Sequence, residues 1–504
     1  MLRKLTTIVC LLLGLITAQR VGAFTLWGPL ETWQTADLDY GDRYYYRVIA
    51  LDDGLGTSEG GGPKNFGEGS RLTTPILTYG FDNTFLDYFG KDGVAAVESA
   101  MAVLNALPSA SSAKLTNFLT EGALQINYSA QALAMLDLKS TVLWLMVEHM
   151  GLLGETHVYD LQLRDKFGPG TCDYEYFVIN RNYDPITYNP STYVNGRLYD
   201  YFIWDGCTIG VNVGDAVELP ADVTASTRYT AVATPEGLQT GGFYLNLSRD
   251  DMAGLQYLYR KGNYSFQSLD SNTTVEPFQS SWMPVVTNEV ISGISNFAGL
   301  LGGVEKVTFV NVNFDSLLNP GFAPRTYSYT VPYVTNSRLI QLKVTRTITE
   351  PDIIFTAADL VDSEALANYT TLTRSASFTL SPYVSAGGGP NGPAPTPSTI
   401  DANMVVVLDN VGPVYYNYNP YFLDSQNYYT YPIFNWGTFD GSTNAPILYP
   451  LGSSLAELQS EVLAGGAPIP VYEWAPVLNT NTTTTAAGAG GGAGAGGGVT
   501  MSVH

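Results

Sequence analysis

Histidine is the scarce reagent of this chain: three in 504 residues, His149, His157 and His504, the last within the tail. The first two lie in the run Val147-Glu148-His149-Met150-Gly151-Leu152-Leu153-Gly154-Glu155-Thr156-His157. Imidazole and carboxylate are zinc donors, and a glutamate beside a metal-bound water is a general base. On a continuous helix, eight residues hold the His149 and His157 Cα atoms about 12 Å apart. Zinc needs each donor at about 2.0–2.1 Å. Gly151 and Gly154 permit a break that folds His157 back, which leaves a non-standard site around Glu148 and His157 as one reading. The other has no metal, with Glu148 and His149 partly exposed on a helix and His157 hydrogen-bonded in a loop.

Other chemistries have thinner material. Nucleophilic triads need a histidine base, and the supply is nearly used up. Gly56-Thr57-Ser58-Glu59-Gly60 spells G-x-S-x-G, yet it sits in a glycine-rich loop with no strand-to-helix turn to expose the serine. Asp52-Asp53, Asp359/Asp362/Glu364 and Asn311/Asn313/Asp315 offer oxygens that suit calcium, at spacings that match no EF-hand. A paired-carboxylate glycosidase is defined by a spatial separation that a sequence does not carry. Cys172 and Cys207 remain once Cys10 leaves with the leader. In an oxidising compartment they are expected to pair, closing a loop of about 35 residues for roughly 3 kcal/mol. A thiol nucleophile is the rival reading, without a histidine nearby in sequence. Tyr415, Tyr416, Tyr418, Tyr421, Tyr428, Tyr429 and Tyr431, with Phe434 and Trp436, form the densest aromatic stretch. Such rings stack on sugars or anchor a protein interface, or simply face a sheet.

The elements that must position these residues can be traced from pattern. Ile76 to Phe81 reads as a strand. From Gly93, the spacing of Val94, Val97, Met101 and Leu104 predicts a helix that stops before Pro108. Ala132 to Leu153 reads as a strongly apolar helix. Gly168 to about Val232 reads as an irregular, Tyr- and Asn-rich excursion. Ser248 is placed to cap a helix reaching Tyr259, with Asp250 and Asp251 in the first turn, where the helix dipole favours acids. Asn263 to Pro284 reads as a polar linker. Beyond it, Val307 to Phe314, Arg338 to Ile348 and Met404 to Leu408 read as strands. In the second of these Arg346 interrupts the face of Ile340, Leu342, Val344 and Ile348, which predicts a register shift near its end. Tyr44 to Leu51 is a strand candidate. Gly54–Gly69 and Gly387–Pro397 read as loops, and Asn479–Gly498 as a tract that forms no core.

Leu247-Ser248-Arg249-Asp250-Asp251-Met252-Ala253-Gly254-Leu255-Gln256-Tyr257-Leu258-Tyr259 resembles the terminal helix of matrixins, the metzincin branch of zinc metallopeptidases. That family closes its catalytic domain with L-S-x-D-D-φ-x-G-φ-Q-x-L-Y, φ being apolar, and this chain matches at each specified position. The Ile76–Phe81 strand and the helix after it are similar to that domain's opening. The resemblance covers roughly residues 75 to 262. It implies a zinc site on the central helix, with motif H-E-x-x-H-x-x-G-x-x-H. Aligned by spacing, Glu148 takes the base position, Gly154 the turn and His157 the third ligand. Val147 and Gly151 stand where the first two histidines belong. The stretch from His157 to Leu247 is longer than the family's and contains no methionine to form its Met-turn.

Arg3 and Lys4, an apolar run of about a dozen residues and Val21-Gly22-Ala23 form a secretory leader, cut before Phe24 or alternatively after Ala18. No later stretch has the roughly 20 apolar residues that span a bilayer. Acidic residues outnumber basic ones 46 to 24, for a net charge of −22. Arg3, Lys4 and Arg20 belong to the leader, so the remaining chain is more acidic still. Such a chain repels nucleic acid and anionic membranes. With only 14% charged and 45% hydrophobic residues, it has the material for cores. Asn127-Tyr128-Ser129 and Asn246-Leu247-Ser248 are glycosylation sequons, used only in a host with that machinery.

The expected fold is α+β: a metzincin-like α/β domain with a long insertion, then a mainly antiparallel, sandwich-like β domain. The expected divisions are a leader (1–23), an irregular segment (24–74), a matrixin-like domain (75–262, insertion about 168–232), a linker with a short helix (263–304), a β-rich domain (305–478) and a low-complexity tail (479–504). The expected product is a secreted, extracellular, periplasmic or cell-envelope protein without catalysis or cofactor, which binds a protein partner, assembles with itself or takes a neutral glycan. The alternatives are a hydrolase using zinc at Glu148 and His157, and a glycan-binding module.

Overall fold

The computed structural model describes residues 24–26, 69–120, 123–152, 159–166, 174–180, 182–205, 214–221, 231–233, 238, 240–277, 297–312, 322–335, 338–357, 399–400, 402–408 and 435–464. The fold is mixed, with more strand than helix and several sheets.

Three longer helices carry the first half: α1 (Asn83–Asn105), α2 (Leu138–His149) and α3 (Arg249–Tyr259). Each begins on a buried side chain that accepts a backbone N–H of its first turn. Asp82 accepts from Phe85, Asp137 from Ser140, and Ser248 from Asp251. These satisfy amide donors that have no partner within the helix. α1 starts about two turns before Gly90, earlier than the apolar spacing predicts. Gly90, at φ +60, kinks the helix and lets the two parts join. α2 is shorter than expected. Tyr128–Ala132 is a separate short helix, and Met135–Asp137 is a strand paired in parallel with Asn435–Gly437.

The strands that organise the molecule are β1 (Ile76–Phe81), β2 (Ser265–Ser268), β3 (Thr273–Pro277), β4 (Ala298–Leu301), β5 (Thr308–Asn311), β6 (Arg325–Thr335), β7 (Arg338–Ile348), β8 (Ile353–Thr356) and β9 (Met404–Val407). They form two sheets. One is parallel, in the order β5-β1-β8-β9, with Ile76 opposite Thr308 and Tyr79 opposite Ile353. Leu77, Thr78, Tyr79 and Phe81 are all buried, as in a sheet covered on both faces. The other is antiparallel, in the order β2-β4-β6-β7-β3.

Several expectations are corrected here. β5, β8 and β9 come from the segment expected to form a separate antiparallel domain, yet they join β1 in one parallel sheet. One continuous apolar core runs from Phe24 through Leu143 and Phe355 to Tyr449. The polar linker after Asn263 contributes β2 and β3. Ala298–Leu301, within the stretch expected to hold a linker and a short helix, is β4. The irregular excursion holds paired antiparallel strands, Arg197–Asp205 with Gly214–Pro220, and Tyr174–Asn180 with Tyr159–Lys166 just before it. In each case main-chain pairing decided the structure where side-chain composition gave a weak signal.

β7 keeps its register throughout, and Arg346 remains on the buried face. Its guanidinium is held by Asp270 at 2.6 Å and by both oxygens of Asp352. Asp352 Oδ2 also accepts the Thr78 amide at 2.7 Å and the Thr78 hydroxyl at 2.9 Å. A single buried cation thus ties the antiparallel sheet to β1 and β8. Burial alone would lower its pKa, and the two carboxylates hold it above the ordinary arginine value.

Candidate functional site

The stretch expected to carry chemistry is the end of α2. Leu138 to Trp144 enters the core without a polar stripe, so the helix has no solvent face along most of its length. Val147, at the position of the family's first histidine, is fully buried. Glu148 is 8% exposed and His149 is 0% exposed. The expectation that both lie partly exposed is therefore corrected. Burial drives the His149 pKa down to about 4, against a hydrogen bond with the Ala402 backbone, so the ring is neutral at physiological pH.

α2 ends where a second ligand would have to stand. The Leu152 amide donates to the Val147 carbonyl at 3.2 Å and the Gly151 amide to the Glu148 carbonyl at 2.8 Å. This paired closure reverses the chain through a left-handed residue just past the helix, and Gly151 supplies it at φ +106. The helix therefore stops a turn before the position that the resemblance gives to Gly154.

The space beside Gly151 is filled. A Cβ at this position would overlap the Ser70 carbonyl oxygen and lie 3.0 Å from Leu258 Cδ1. Ser70 is held there by its neighbours. Arg71 donates from Nε to Gln267 at 3.0 Å, from one terminal nitrogen to the carbonyls of Asn263 and Leu301 at 2.8 and 2.9 Å, and from the other to the Leu258 carbonyl. Burial draws the Arg71 pKa down to about 10, and the group stays charged at neutral pH. The Tyr259 hydroxyl donates to the Met150 carbonyl at 2.7 Å and accepts the Leu72 amide at 3.3 Å. The end of α2, the 69–72 segment and α3 thus form one hydrogen-bonded block.

α3 keeps the capping that its sequence specifies. The Ser248 side chain accepts from the Asp251 amide, and Asp251 returns a bond to the Ser248 amide at 2.8 Å. Asp251 also accepts the Val232 and Ala233 amides, both at 2.9 Å, and Asp250 accepts the Asn195 amide. The Asp-Asp pair is thereby committed to holding loops. Phe24, Thr25 and Leu26 are buried; the Phe24 ring stacks on that of Tyr257 in α3 at 5.9 Å, and its backbone pairs in both directions with Tyr183.

Of the other candidates, Trp436 is 3% exposed and its ring lies edge-on to Phe89 at 6.3 Å. It is a core residue, which removes it from the set of rings available for stacking on a ligand. His157, Cys172, Cys207, Tyr415, Tyr416, Tyr418 and Tyr421 lie outside the described residues. The loop acids Asp52-Asp53 and Asp359/Asp362/Glu364 lie outside them too, and Asn311 spends its amide on Glu98 at 2.8 Å.

Two of the three residues at the family's zinc positions do not fit the metal: a core valine and a glycine without room for any side chain. Among the described residues no three His, Cys, Asp or Glu side chains cluster to hold an ion, and no helix is long and apolar enough to cross a membrane. Arg71 was not singled out by sequence, since its partners lie 187 to 230 residues away, and Tyr259 entered only as the last position of the helix motif, with nothing local to signal its bonds to Met150 and Leu72. No family model, curated protein or solved structure matches this chain.

Proposed function

We propose that this chain is an exported, non-catalytic protein in which a matrixin-like segment has become a structural core, and whose sheets and loops bind a protein partner or assemble with further copies. The observation that carries this reading is the contact between Gly151 and Ser70. The backbone of one segment occupies the volume that a second metal ligand would need. The buried, neutral His149 and the nearly buried Glu148 agree with it, because a general base must reach substrate and water. Export rests on the basic, apolar and small-residue order of the first 23 residues.

The test is a broad peptidase assay on the purified chain beginning at Phe24, run beside Glu148→Gln. The expected result is the same background cleavage for both. Cleavage by the parent that Glu148→Gln abolishes would overturn the reading.

A further inference from the structure

Four asparagine sequons fall among the described residues, and the fold treats them in two ways. Asn246-Leu247-Ser248 and Asn272-Thr273-Thr274 present exposed asparagines. Asn127-Tyr128-Ser129 and Asn263-Tyr264-Ser265 do not: Asn127 is 0% exposed and Asn263 is 6% exposed.

The chemistry at the buried pair is specific to the nitrogen that a glycan would take. Asn127 caps the Tyr128–Ala132 helix, its Oδ1 accepting the Ala130 amide at 2.8 Å. That fixes the amide's orientation and points Nδ2 at the carbonyls of Asp440 and Asn444, at 3.1 and 2.9 Å. Asn263 Nδ2 donates to the Tyr257 carbonyl at 3.0 Å, and the Leu258 carbonyl lies 3.4 Å away. The Asn263 carbonyl is itself one of the acceptors that hold Arg71. Transfer of an oligosaccharide forms a bond from Nδ2 to the first sugar's anomeric carbon, with loss of one amide hydrogen and of the lipid pyrophosphate carrier. At either site it would take one of the two Nδ2 hydrogens that bind backbone carbonyls and require a sugar ring where the asparagine is buried. Burial gives no protection in advance, because the transferase acts on the extended chain as it emerges, ahead of folding.

We propose that this chain is built for an export route without asparagine-linked oligosaccharyl transfer, because Asn127 and Asn263 must fold unmodified. The proposal rests on the export reading and narrows its compartment. Asn246 and Asn272 are the described positions where the finished fold has room for a glycan.

The experiment sends the chain from Phe24 to His504 through a glycosylating eukaryotic secretory pathway behind the host's own leader. Beside it runs the double variant Ser129→Ala, Ser265→Ala, which deletes both buried sequons and leaves both asparagines. Glycopeptides are mapped in the secreted, protease-resistant fraction and in the retained fraction. The expected result is Asn127 or Asn263 glycans confined to retained chains, and a several-fold gain in resistant secreted protein for the double variant. Blocking lipid-linked oligosaccharide synthesis is expected to give the parent the same gain. Both chains, made through glycan-free bacterial export, should share one thermal midpoint, which shows that the variant acts through the sequons. A resistant, secreted parent carrying a glycan on Asn127 or Asn263 would overturn the proposal, as would equal yields of parent and double variant. A native leader left uncut, both before Phe24 and after Ala18, would instead count against the export reading and leave the glycan result standing.

Discussion

At the scale of single residues, Gly151 has the largest consequence. The proposed resemblance sets it where a histidine would stand; the sequence gives no sign that Ser70 stands against it, a contact between residues 81 positions apart. The Ser248–Asp251 cap was legible because it is closed within one helical turn. Arg346 was legible as an anomaly on an apolar face, and its partners Asp270 and Asp352 were not, since both lie in connections between strands, where no periodicity marks them. Gly151→Ala is the sharpest probe at this scale. It puts a side chain at φ +106 and against a carbonyl oxygen, so a loss of about 2–4 kcal/mol is expected by chemical denaturation. A change below about 0.5 kcal/mol, the range of ordinary surface substitutions, would mean that the slot is open.

At the scale of elements, α2 shows why the sequence overstated a helix. Residues 132–153 are almost uninterruptedly apolar, and periodicity cannot divide such a run. The divisions come from Ala134, at φ +50, and from Met135–Asp137, which pairs with Asn435–Gly437 some three hundred residues away. Asp137 then caps the helix from a buried position. Burial raises its pKa to about 6, against hydrogen bonds from Ser140 and the Phe439 amide. At the other end, burial lowers that of His149 to about 4. The two ends respond to acid with opposite sign. The folded pKa of Asp137 lies above its unfolded value, so its contribution is present below about pH 4 and is lost as pH rises through about 6. The folded pKa of His149 lies below its unfolded value, so its contribution is present above about pH 6.5 and is lost as pH falls through about 4. Asp137→Asn leaves the histidine unopposed. Between pH 6.5 and pH 4 the variant should lose stability more steeply than the parent, by up to about 3 kcal/mol at the acid end. Parallel stability curves across that window would contradict this.

At the scale of the whole molecule, the expected boundary after residue 262 does not divide the sheets. β1 belongs to the first segment and all of its sheet neighbours to the second. A parallel sheet assembled across so long a separation leaves no local trace, which is why the strands themselves were partly legible and their partnership was not. Residues 24–262 alone would keep β1 without β5, β8 or β9 and would expose Leu77, Tyr79 and Phe81. That fragment should be proteolytically labile and lack a cooperative thermal transition. A cooperative transition in the fragment would restore the two-domain view.

Metal content of the intact protein bears most directly on the central claim, that a matrixin-like segment has been rebuilt as core. The chain from Phe24, purified without chelator and dialysed against zinc and then against metal-free buffer, should retain zinc well below about a tenth of an equivalent by elemental analysis, since structural and catalytic sites hold zinc at full occupancy. About one zinc per folded chain, lost on His157→Ala, would show that a site has been remade in spite of Gly151 and would contradict the account.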